Sequence, residues 1–104
     1  MKTVGFVGTV EVETRDVARV WFSLTAGKES ADWVKIGPVR AWFTTNLEAA
    51  DRPSFMAQLP LLMEALRSGL QVEVSHVDAT FDKNDPNDAF EVDGIRILRA
   101  PMRF

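Results

Sequence analysis

Leu59-Pro-Leu-Leu-Met-Glu-Ala-Leu-Arg-Ser-Gly-Leu-Gln-Val-Glu-Val-Ser-His76 changes its hydrophobic period in the middle, and that change decides the fold. Leu59, Leu62, Met63 and Leu66 recur at i, i+3, i+4 and i+7, the stripe of a helix lying on an apolar surface. Val72 and Val74 alternate instead with Gln71, Glu73 and Ser75, as in a half-buried strand. Gly69 stands at the switch, where helices end readily on a left-handed residue, and Arg67 in the last turn suits the exposed carbonyls. One short helix therefore feeds a strand directly. Strand-like sequence flanks this unit on both sides, so the helix is expected to plug a curled sheet with Leu62 and Leu66.

Upstream of this stretch the helical pattern covers 55–67, with Pro53 placed to open it and Pro60 expected to kink or split it. Residues 33–45 form a third strand interrupted at Gly37-Pro38, which suggests an edge or a bulge because proline cannot donate to a ladder. Residues 26–32 are a charged loop. In the second strand Ala18, Val20, Phe22 and Leu24 point one way and Arg19, Trp21, Ser23 and Thr25 the other. In the first, Val4, Phe6, Val10 and Val12 share one parity, and Gly5 and Gly8 offer places to bulge or bend. Downstream, a strand over 70–77 leads into a polar Asp, Asn and Pro loop, and a last strand over 90–98 carries a turn or bulge at Asp93-Gly94.

The totals agree with one small domain spanning 1–104. Of 104 residues 46% are apolar and 26% charged, enough for a core and too apolar for disorder. A net charge of −3 and a pI near 5.1 argue against a strongly basic nucleic-acid binder and leave room for a local basic patch. Cysteine is absent, which excludes disulfides and thiolate chemistry. The first apolar stretch reaches Glu11 too soon for a secretory core region, and no apolar run approaches the ~20 residues of a membrane helix. A cytoplasmic protein with no membrane contact is expected.

Three strands, a helix and two strands is an order that resembles the OB-fold, a five-stranded Greek-key barrel with its helix between strands three and four. Ala65-Leu-Arg-Ser-Gly-Leu-Gln-Val-Glu-Val74, together with Asp93-Gly-Ile-Arg-Ile-Leu98, resembles the second half of bacterial toxin B-subunit-like OB domains. The resemblance spans 65–98. It implies a mainly β barrel and, for B-subunit-like proteins, glycan binding.

A near repeat carries the functional expectation: Ala18-Arg-Val-Trp-Phe-Ser23 and Val39-Arg-Ala-Trp-Phe-Thr44. If these strands pair, Phe22 and Phe43 enter the barrel while Arg19, Trp21, Arg40 and Trp42 share its outside. Aromatic rings offer a stacking surface, arginine supplies a planar cation, and subunit interfaces are enriched in both. In OB-folds the face of strands two and three is the usual contact surface. Arg19, Trp21, Arg40 and Trp42 are therefore the candidate ligand- or partner-binding residues, with ordinary packing as the bland alternative. The expected function is a non-enzymatic binding or assembly module, a homo-oligomer self-associating through this sheet face. Single-stranded nucleic acid on the same four residues, or a glycan, is the alternative partner.

Other features point to no chemistry. Asp82, Asn84, Asp85, Asn87, Asp88 and Asp93 supply oxygens, but Pro86 takes the fifth place of a calcium loop, glycine is missing at the sixth and Asp93 replaces glutamate at the twelfth. His76, the one histidine, follows the parity of Val72 and Val74 and is expected to be a partly buried, hydrogen-bonded strand residue. Glu11 and Glu13 share a solvated face. No catalytic residue, metal or cofactor is expected.

Overall fold

The computed structural model describes residues 1–14, 18–37, 39–46, 57–81 and 88–98. They form β1 (Lys2–Glu13), β2 (Arg19–Thr25), β3 (Lys35–Ile36), β4 (Val39–Asn46), α1 (Gln58–Ser68), β5 (Gln71–Phe81) and β6 (Asp88–Ile97). Antiparallel pairs join β1 to β2, β2 to β4, β1 to β5 and β5 to β6, and a parallel pair joins β4 to β6. These five pairings close a ring in the order β1, β2, β4, β6, β5. The fold is a mainly β, OB-like barrel of five strands with one helix between β4 and β5. The single parallel pair is possible because α1 and β5 supply the long crossover that parallel strands need.

Inside the barrel, Val20, Phe22 and Leu24 of β2 meet Ala41 and Phe43 of β4, Val72 and Val74 of β5, and Phe90 and Val92 of β6. Phe22 lies directly opposite Phe43, their rings stacked at 5.4 Å, as alternation in the two strands predicts. The first strand departs from its expected single parity. A register shift between Val7 and Thr9 places an extra residue, Gly8, in β1, so Gly5 and Val7 face inward before it and Val10 packs against the core after it, while Val12, farther along on the same side, is exposed. Val4 is consequently exposed.

Residues 33–45 are not one interrupted strand. Lys35 pairs with Arg40 and Ile36 with Val39, so the two stretches form a hairpin, and Gly37 at its turn takes the left-handed φ of 63° that a tight turn demands. Among the described residues β3 pairs with β4 alone and lies outside the closed ring.

The helix starts at Gln58, and the earlier part of its predicted range lies outside the described residues, as does Pro53. Pro60 falls in the first turn, where its missing N–H has no intrahelical partner to lose, and no kink is needed. Gly69 ends the helix at φ 64°, and a Cβ there would also meet the side chain of Lys28. Gln58, Leu62 and Ala65 form the buried side, the Gln58 amide oxygen accepting from buried Thr45 Oγ1 at 2.9 Å. Leu62 is fully buried, but Leu66 is 38% exposed, which corrects its expected role as a plug. The buried side is turned away from the predicted stripe, with Gln58 and Ala65 packed inward and Met63 and Leu66 facing solvent.

β5 and β6 are longer than their patterns suggested, running on to Phe81 and starting at Asp88. Ser75 pairs with Gly94 and His76 with Val92, which leaves Asp93 as the extra residue at the expected bulge. The remainder of the acidic loop, 82–87, lies outside the described residues. Among the described residues no helix is long and apolar enough to cross a membrane.

Candidate binding face outside the barrel

Pairing Phe22 with Phe43 sends the neighbours of both outward. Trp21 lies opposite Thr44 and Trp42 opposite Ser23, so the two tryptophans are diagonal neighbours on one outer face. The parallel pairing of β6 then sets Ala89 beside Trp42 and Glu91 beside Thr44. A third ring arrives from outside the barrel strands. The 26–32 loop folds back through Ala26 N–H to Asp32 O at 3.0 Å, and Val34 N–H donates to Leu24 O at 2.8 Å, which lays Trp33 beside Thr25. Trp33 meets Trp42 edge to face at 4.9 Å and 89°.

Two cations cap this cluster. The Arg19 guanidinium lies 6.0 Å from the Trp21 ring, and that of Arg40 lies 5.5 Å from the Trp33 ring. They differ in commitment. Arg19 Nη1 donates to Glu91 Oε1 at 2.7 Å and to Thr44 Oγ1 at 3.1 Å, and Thr44 in turn donates to Val20 O at 3.0 Å. Arg40 is exposed, and its cross-strand partner is another exposed cation, Lys35. Among the described residues no carboxylate lies within 4.0 Å of either. Like charges directly opposite in a sheet are unfavourable, by a few tenths to about 1 kcal/mol.

All four predicted site residues thus share the outer face, but the tryptophans are covered: Trp21 is 4% and Trp42 8% exposed. Alternation assigns a side of the sheet, and here Trp33, Ala89 and the arginines lie over that side. Trp33, Lys35, Thr44 and Glu91 join the site unpredicted. Gly37-Pro38 read as a hairpin would have placed Lys35 opposite Arg40, whereas the Arg19 to Glu91 contact depends on a parallel pairing that no local pattern reveals. Glu11 and Glu13, opposite Trp21 and Arg19 on β1, are exposed at the margin of the same face.

His76 is more buried than expected and lies elsewhere, among Phe43 and Phe90 at 5.2 and 5.3 Å. Its Nδ1 contacts Val77 O at 2.9 Å; a carbonyl only accepts, so Nδ1 carries the hydrogen, and in the neutral ring Nε2 accepts from Thr3 Oγ1 at 2.8 Å. Both ring nitrogens are thereby occupied in structural bonds. Among the described residues no group of three or more His, Asp or Glu side chains is placed to hold a metal ion.

Compared with known proteins, the chain matches no family model and no curated sequence.

Proposed function

We propose that this chain is a non-enzymatic binding module that uses the barrel as a scaffold and presents the outer β2 and β4 face, extended by the β3–β4 hairpin, to a partner. The observation behind it is that all three tryptophans gather in one cluster outside the barrel, roofed by cations, while the barrel closes on phenylalanines. In this reading Trp21 and Trp42 are a rigid floor, and Trp33, Lys35 and Arg40 are the side chains a partner touches. The non-enzymatic part rests on the sequence, in which no nucleophile, base and orienting group come together.

Self-association has less support than binding. Burying apolar surface stabilises an interface by ~25 cal/mol per Å², and Trp21 and Trp42 have almost no surface left to bury. A glycan-binding, toxin B-subunit-like role has the resemblance over 65–98 as its support. Light scattering over a wide concentration range, together with tryptophan fluorescence titrations against an oligonucleotide and an oligosaccharide, tests the module reading. The expected result is a response of the parent that Trp33→Ala with Arg40→Gln suppresses. A parent that neither associates nor responds, or variants that behave as the parent does, would overturn it.

A further inference from the structure

We infer that the hairpin end of this face is a subsite for an aromatic base carrying a phosphate, supplied by single-stranded nucleic acid, an assignment that rests on the binding-module reading above and names its ligand class. Trp33, Lys35 and Arg40 lie together: Lys35 and Arg40 are cross-strand partners, Trp33 precedes β3 by two residues and bridges Thr25, and the Arg40 guanidinium lies over the Trp33 ring. The like-charged pair is the unusual part. Among the other exposed cations of the described residues, Lys2 and Arg96 share Glu73 and Arg67 pairs with Glu64, while Lys28, on the 26–32 loop, is in no ion pair. At Lys35 and Arg40 a bound anion would turn a repulsive pair into a two-pronged clamp, the ammonium as a point charge and the guanidinium as a fork.

The ring decides what kind of anion. Trp33 is held edge-on by buried Trp42 and by the backbone bonds of the 26–32 loop, so little side-chain freedom is lost when something stacks on it. Arg40 covers its face. A phosphate that draws the guanidinium aside uncovers that face for the base attached to it. Both halves of a nucleotide unit are then used, whereas an acidic peptide would satisfy the cations alone and a neutral sugar the ring alone. At the Gly37 turn a Cβ would meet nothing within 4 Å, which leaves that end of the hairpin open to a passing strand.

Two cations on a single strand predict a slope of about −1.4 in log affinity against log salt, or about a sevenfold loss from 50 to 200 mM. Titration of the full chain with oligothymidylate, followed by tryptophan fluorescence at both salt concentrations, reads this directly. Lys35→Gln with Arg40→Gln should remove the salt dependence, and Trp33→Ala should weaken binding about tenfold while Trp33→Phe keeps most of it. Urea unfolding of each variant confirms that the barrel is intact. Thymidine monophosphate binding as tightly as the oligomer would keep the base-and-phosphate chemistry and assign it to free nucleotides. Inorganic polyphosphate binding as tightly as oligothymidylate would overturn the assignment, since the ring would then contribute nothing. A parent that ignores oligothymidylate but associates, or binds a sugar, through Trp33 would refute the ligand class and leave the face standing. Oligothymidylate binding unchanged in all these variants and lost in Lys2→Gln with Arg96→Gln would refute both.

Discussion

The phenylalanines inside the barrel and the tryptophans outside it are buried to a similar degree by different means. Phe22 and Phe43 are covered because their strands pair and the ring of strands closes around them. Trp21 and Trp42 are covered because a returning loop and two arginines lie over a surface that the same pairing turned away from the core. The inner cluster is a product of the fold; the outer one is assembled on it. Burial that depends on a roof is cheaper to undo than burial that depends on the walls.

The widest break in that comparison should come from Phe43→Ser, which removes a stacked ring and leaves a hydroxyl in the barrel. About 4–6 kcal/mol is expected, close to the whole stability of a small domain, so urea unfolding should find the variant largely unfolded. Leu62→Ala, also on the inner side, should cost about 2–5 kcal/mol by the same measurement. Trp42→Ala sharpens the contrast: a roofed site can partly collapse, so about 2–3 kcal/mol is expected, below the usual range for a core tryptophan. A cost equal to that of Phe43→Ser would mean that the outer cluster is as integral as the inner one. Leu66→Ala, on the solvent side of the helix, should cost less than about 1 kcal/mol.

The smallest effect lies on the outer side of α1, where Glu64 meets Arg67 and Ser68. Hydrogen bonds from Arg67 and then Ser68, with the Arg67 charge, hold the Glu64 carboxyl below its ordinary value. A depressed carboxyl contributes stability above its unfolded pKa and loses it as pH falls through the folded one. Glu64→Gln should therefore make the acid-side loss of stability slightly shallower, compared with the parent by urea unfolding from pH 7 to pH 3. A steeper loss in the variant would reverse the sign.

Local pattern carried the barrel a long way. The change of period at Gly69, the inward Phe22 and Phe43 and the extra residue at Asp93 are all short-range features, and the structure has each where the residues imply it. What escaped was either a switch within a strand or a contact between distant strands. Gly8 is legible as a place for a bulge, but nothing in Val4 or Phe6 announces that its extra residue inverts the parity of half of β1. The β3–β4 hairpin reads as an interruption of one strand because both arms alternate in step. At the candidate site the sidedness of Arg19, Trp21, Arg40 and Trp42 was readable from the repeat, while their cover was not. Trp33 comes from a loop, and Glu91 from a strand that only the closed ring brings near.

The parallel seam between β4 and β6 also sets an order of events. Hairpins such as β1–β2 and β5–β6 join nearby stretches, whereas the seam matches Phe43 with Phe90 across α1 and all of β5. Its loop-closure entropy must be met before its contacts form, which places it late in folding. Glu91 reaches Arg19 only once that seam has closed, so the ion pair works as a latch on a finished ring and not as a guide to it. Weakening the latch should accordingly speed unfolding and leave the rate of folding nearly unchanged.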